Sequence, residues 1–95
     1  MAKATPGVDA VLTPHARFEM ARRAVSEDTV RFVLEAPEQQ EEVRPGRVVL
    51  QSRVRLDAPP RIHLIRVFVD VDRSPAEVVT VYRTSKIAKY WRGSP

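Results

Sequence analysis

The chain has no cysteine, which excludes a disulfide framework and a thiolate metal site and is compatible with a reducing cytoplasm. Its two histidines, His15 and His63, lie in neither a His-x-x-x-His nor a Glu-x-x-His spacing. No zinc site is therefore expected, and no cofactor is implied. The three glycines, Gly7, Gly46 and Gly93, are scattered, so no Gly-rich loop is present to cradle a phosphate. No serine sits in a nucleophile elbow. No apolar run approaches the roughly 18 residues needed to span a bilayer, and Met1 to Val11 lacks the apolar centre of a signal peptide. These absences lead to the expectation of a soluble, cytoplasmic protein with no membrane partner.

What is plentiful is positive charge. Sixteen basic residues stand against 12 acidic ones in 95, giving a net charge of +4 and a pI near 10.1, which favours an anionic partner. That length suits one domain with a single core. Met1 to Val11 has no periodicity and reads as a loose lead-in, leaving residues 12–95 as the domain.

Thr13-Pro14 is a strong helix start, with Thr13 as the cap and Pro14 in the first turn. The helix should run to about Arg23, with Ala16, Met20, Ala21 and Ala24 on one side and Phe18 at the border. His15, Glu19, Arg22 and Arg23 share the other side. Ser26, followed by Glu27 and Asp28, caps a second helix over Glu27 to Glu35 whose inward stripe is Val30, Val33 and Leu34, and Ala36-Pro37 stops it. A short acidic edge strand leads into Val43, and Arg44-Pro45-Gly46-Arg47 is a turn.

Arg47 to Leu56 alternates, with Val48, Leu50, Val54 and Leu56 on one face, Ser52 the exception, and Arg47, Gln51, Arg53 and Arg55 on the other. Arg61 to Asp72 is the longest strand candidate, with His63, Ile65, Val67, Val69 and Val71 as its expected core face and Arg66 and Phe68 opposite. Val78 to Thr84 is a β-branched run that places Val79 and Val81 on one face and Thr80, Tyr82 and Thr84 on the other. Ser85 caps a short helical tail over Lys86 to Trp91. The order predicts an α+β fold: two N-terminal helices packed on one face of a four-stranded antiparallel sheet, then a short C-terminal helical turn. The other sheet face is left open and carries the cations.

Thr13-Pro14-His15-Ala16-Arg17 with Met20, and the strand ending Tyr82-Arg83-Thr84-Ser85-Lys86, resemble a family of small bacterial domains of unknown function with a helix-one His-Ala-x-x-x-Met motif and a terminal Tyr-Arg-Thr-x-Lys segment. That family is similar to the RelE-like and colicin-type ribonuclease toxins. The resemblance spans roughly Leu12 to Tyr90. It implies a metal-independent endoribonuclease, with RNA as partner and a cognate antitoxin as a possible second one.

Metal-free RNA cleavage needs a base for the 2′-hydroxyl, cations for the charge building on phosphorus, and an acid for the leaving oxygen. His15, in the first helical turn where the dipole disfavours its charged form, is the best base. Arg83 and Lys86 are the candidate cations and Thr84 a candidate phosphate donor, although Arg83 has the parity of the packing face. His63 reads as a satisfied core or edge histidine. Arg22, Arg23, Arg47, Arg53 and Arg66 are candidate phosphate contacts. Tyr82 and Phe68 either stack on bases or form a small cluster under the terminal helix, and Tyr90 and Trp91 read as anchors of that helix. The rival reading is a non-enzymatic module that docks a protein or nucleic acid on the open face.

Overall fold

Both N-terminal helices begin on a hydroxyl cap, as the sequence dictates. In the computed structural model, which describes residues 9–93, Thr13 Oγ1 accepts from the Ala16 amide at the start of α1 (Pro14–Arg22), and Ser26 Oγ accepts from the Thr29 amide at the start of α2 (Glu27–Glu35). Helix α1 ends in a Schellman arrangement. Val25 N–H donates to Met20 O and Ala24 N–H to Ala21 O, while Ala24 takes the left-handed φ of 54° usually left to glycine. The accompanying apolar contact comes from Met20 and Val25, both buried.

The expected stripe of α1 needs correction. Ala21 and Ala24 are exposed, whereas Glu19 is buried beside Ala16 and Met20. Glu19 tolerates that position because Arg22 and Arg23 donate to its Oε2 at 3.0 and 3.1 Å. Those two guanidinium groups hold its carboxyl below the usual range against the opposing effect of burial.

Among the described residues five strands form one mixed sheet in the order β1-β5-β4-β3-β2: β1 (Val11–Leu12), β2 (Gln39–Arg44), β3 (Arg47–Leu56), β4 (Arg61–Asp70) and β5 (Glu77–Thr84). The expected four-stranded antiparallel sheet lacked β1, which pairs parallel with β5. Two residues carry no period, so the strand is invisible in the sequence. It forms because Val11 N–H reaches Ala76 O, and Thr13 donates to Val78 O from both its amide and its hydroxyl. Thr13 thus caps α1 and fastens it to the sheet. Of the expected lead-in, residues 1–8 lie outside the described residues, and Val11 belongs to the sheet.

The core joins Ala16, Met20, Val30, Val33 and Leu34 of the helices to Leu50, Ile65, Val67, Val69, Val78 and Val81 of the sheet. In β5 the packing residues are Val78 and Val81, not Val79 and Val81. Val69 pairs with Val78 and Phe68 with Thr80, so Val79 is the extra residue of a bulge that flips the alternation. Ser52, the polar exception in β3, is 1% exposed and tethers the α2–β2 connection by donating to Ala36 O and accepting from Glu38 N–H. At the β2–β3 turn Gly46 has φ 85°, and a Cβ there would fall 2.6 Å from Asp72 Oδ2.

The sheet is not bare on its second face. After β5 the chain turns through Lys86, which stands at the cap position expected of Ser85, into α3 (Ile87–Tyr90) and folds back across β3 and β2. No helix among the described residues is long and apolar enough to cross a membrane.

Val33 is fully buried, so Val33→Ala should lower the urea-unfolding free energy by about 1 to 3 kcal/mol, while exposed Arg55→Ala should change it by less than about 0.5 kcal/mol. A second expectation concerns pH. The Arg83 guanidinium holds the Asp57 carboxyl below its ordinary value of 3.8. A depressed carboxyl stabilises the fold above the unfolded-state value and loses that contribution as pH falls through the folded one. Urea midpoints measured downward from pH 5 should therefore drop more steeply below about pH 4 for the native chain than for Asp57→Asn. Parallel curves would show that the pair contributes nothing.

Candidate nucleic-acid interface

Strand register arranges the second face in rows. Glu41, Val49, Phe68 and Thr80 form one, Gln39, Gln51, Arg66 and Tyr82 the next, and Arg53, Leu64 and Thr84 the third. Arg66 sits near the centre. Its Nε donates to Gln51 Oε1 at 2.9 Å, and its guanidinium carbon lies 4.5 Å from the Tyr90 ring centroid and 5.3 Å from that of Phe68. Among the described residues no carboxylate forms an ion pair with it. Burial pushes its pKa down, against the opposing influence of Tyr90 and Glu41.

Two buried or half-buried glutamines hold the C-terminal segment in place. Gln51, 3% exposed, donates through Nε2 to Gln39 Oε1 at 2.8 Å and to Tyr90 O at 3.2 Å. Gln39 donates to Arg92 O and accepts from Arg92 N–H. Arg53 lies 4.1 Å over the Trp91 ring while both Glu38 oxygens bind its guanidinium. Leu64, in the same row as Arg53, is fully buried although it lies on the face away from α1 and α2.

Tyr90 stands as a partition between two clefts. The larger, about 470 Å³, is lined by Glu41, Arg66, Lys89, Tyr90 and Arg92 among others. The smaller, about 280 Å³, is lined by Arg23, Arg66, Phe68, Thr80, Tyr82 and Tyr90. Arg66 belongs to both. The Tyr82 and Tyr90 rings meet edge to face at 5.7 Å, and Arg23 caps the Tyr82 ring at 4.5 Å. The Tyr82 hydroxyl, with Lys89 and Arg66 nearby, holds the Tyr90 phenol below its ordinary value despite the opposing effect of burial. One cleft is therefore polar and cationic, the other aromatic.

The expected site residues are distributed unevenly. Arg23, Arg66 and Tyr82 meet at the smaller cleft, and Arg53 lies in the neighbouring row under Trp91. Arg47 is held at the far end of β3 by both oxygens of Asp70, at 2.6 and 3.1 Å. Arg22 shares Glu19 with Arg23 and stays exposed on α1. Thr84 and Lys86 adjoin, with Thr84 Oγ1 accepting from the Lys86 amide.

Arg83 faces the other way. It binds both Asp57 oxygens at 2.6 Å and donates to Arg23 O and Ala24 O, so it is occupied on the helix side. The expected catalytic group is not brought together. His15 follows Thr13, which is fastened to Val78 at the start of β5, whereas Lys86 follows Thr84 at its end. With Val79 bulged out, Val78 and Thr84 pair with Val69 and Leu64, five steps apart on β4, so roughly 17 Å of strand separates the two anchor points, beyond the near-contact that one reaction centre requires. His63 is buried on the helix side, with Nδ1 3.2 Å from Arg61 O and Nε2 3.9 Å from Asp57 Oδ2.

Sequence reasoning missed Gln39, Gln51, Lys89 and Arg92, and gave Tyr90 an anchoring role alone. The density of aromatics and cations over Lys89 to Arg92 was the available signal. Nothing local states that this segment returns across the sheet, since its partners are 39 to 53 residues away.

Trp91 is the chain's single tryptophan and reports on that return. Gln51→Ala removes the bond to Tyr90 O, so acrylamide should quench Trp91 more strongly than in the native chain. Unchanged quenching would remove Gln51 from the fastening.

A search of curated proteins and a search of solved structures each find no match. The family described as "Domain of unknown function (DUF4258)" matches residues 12–83. That stretch contains Arg23, Gln51, Arg66 and Tyr82 and stops short of Tyr90 and Arg92. It runs from the second residue of β1 to the penultimate residue of β5, well over half of the sequence, and the chain belongs to this family of domains of unknown function.

Proposed function

We propose that the protein binds single-stranded RNA on the second sheet face, with a base against Tyr82, Tyr90 and Phe68 in the smaller cleft and a backbone phosphate at Arg66. The observation that carries this reading is the state of Arg66. Arg47, Arg53, Arg83 and Arg92 each sit against a carboxylate, whereas Arg66 is half-buried between aromatic rings with a neutral amide oxygen as its hydrogen-bond acceptor. A partly desolvated cation without a counter-ion is stabilised by an incoming anion. Aromatic walls on either side suit bases that are splayed out of a single strand, which a duplex keeps stacked. The net charge of +4 adds long-range attraction. The resemblance of the motif-bearing family to ribonuclease toxins, expected from the sequence, also implies an RNA ligand. Cleavage is not part of the proposal, because the separation of His15 from Lys86 leaves the base without its phosphate.

Fluorescence anisotropy with a labelled 12-nucleotide RNA at low salt is the test. Arg66→Gln should weaken binding about tenfold or more and reduce the salt slope by about 0.7, the share of one single-strand phosphate. Tyr82→Ala should remove about 1 to 3 kcal/mol of stacking. His15→Ala should leave affinity unchanged. Absent or salt-insensitive binding would reject RNA and leave the non-enzymatic protein-interaction module in its place.

A further inference from the structure

The larger cleft holds three cations, Arg66, Lys89 and Arg92, and one carboxylate, Glu41. Register puts Glu41 in the row of Val49 and Phe68, on the ligand side of β2. Both of its oxygens are gripped by Arg92, with Nε 2.8 Å from Oε2 and Nη2 in contact with Oε1. A guanidinium holds two oxygens of a phosphodiester through the same fork. Lys89 has no carboxylate partner among the described residues and lies 5.5 Å over the Tyr90 ring. The cleft has the donors of a phosphate position, and a side chain already supplies the anion.

Resting on the RNA reading, we propose that this cleft is a second phosphate position, next to the one at Arg66, and that Glu41 occupies it in the free protein. A backbone phosphodiester of the bound strand takes Glu41's place on Arg92. Exchanging one anion for another at Arg92 releases no counter-ion there, so in the native chain this contact adds little to the salt dependence. Removing the internal anion leaves Arg92 free to bind the phosphate with full counter-ion release. Glu41 therefore weakens RNA binding, although it belongs to the binding site.

The experiment compares Glu41→Gln with Glu42→Gln, the neighbouring residue, which faces the opposite side of β2 and is exposed. Both lose one negative charge, so a field effect alone would move them equally. At low salt Glu41→Gln should bind the 12-nucleotide RNA roughly fivefold more tightly, with a salt slope steeper by about 0.7, while Glu42→Gln should change affinity less than about twofold. In Glu41→Gln/Arg92→Gln the gain should vanish, because the two residues act as one unit. The gain should be the same for 5′-hydroxyl and 5′-phosphorylated RNA, since the group is an internal phosphodiester. A gain confined to the phosphorylated strand would overturn that assignment, as would equal gains from Glu41→Gln and Glu42→Gln. If Arg66→Gln weakens binding but Glu41→Gln does nothing, this inference falls and the RNA reading stands. If no form of the protein binds RNA, the RNA reading itself falls.

Discussion

The fold turns on the Arg83 guanidinium. Two of the described residues take left-handed backbone conformations without being glycine, Ala24 at φ 54° and Asp57 at φ 77°, and each costs of order 1 kcal/mol. Arg83 binds both of them: its Nη1 donates to Ala24 O, and its Nη2 to the Asp57 carboxylate. One side chain from the end of β5 thus fastens the end of α1 and the turn between β3 and β4. It also accepts burial on the helix side, with 15% of its side chain exposed, because both of its terminal nitrogens meet oxygens.

That clamp reaches the other face of the sheet. Fixing the carbonyl of Arg23 fixes where its side chain departs, and the side chain passes to the Tyr82 ring while keeping its bond to Glu19. Arg83 and Tyr82 are consecutive and point to opposite faces. The structural ion pair and the aromatic cleft are therefore two sides of one strand end. This is why the Tyr-Arg-Thr segment, which reads as a single cluster of binding chemistry, divides into Arg83 on the helix side and Tyr82 on the second face.

Features that obey a local period were legible. The caps at Thr13 and Ser26, the bounds of α2, the span of β3 and the core parity of Ile65, Val67 and Val69 all follow from spacing alone. Those that escaped depend on distant partners or on a break in the period. The pair Val11–Leu12 becomes a strand only against Glu77 and Val78. The bulge at Val79 exchanges one valine for another of the same chemistry, so composition gives no warning. Arg66 and Tyr82 were legible as residues of the second sheet face, but their neighbours Tyr90 and Arg92 were not, because contact across the sheet is set by the path of the C-terminal segment.

The glutamine at position 51 shows why that segment and the cationic site go together. A buried side chain here must satisfy a donor, Arg66 Nε, and an acceptor, Tyr90 O. An amide does both at once. A carboxylate would satisfy Arg66 but leave Tyr90 O unmet and would neutralise the cation in place. A lysine would satisfy the carbonyl and repel the guanidinium. Only a neutral group with both functions holds the C-terminal segment on the sheet while leaving Arg66 without a carboxylate on its Nε. The fastening that builds the wall between the clefts is therefore also what keeps the central cation available to an anion.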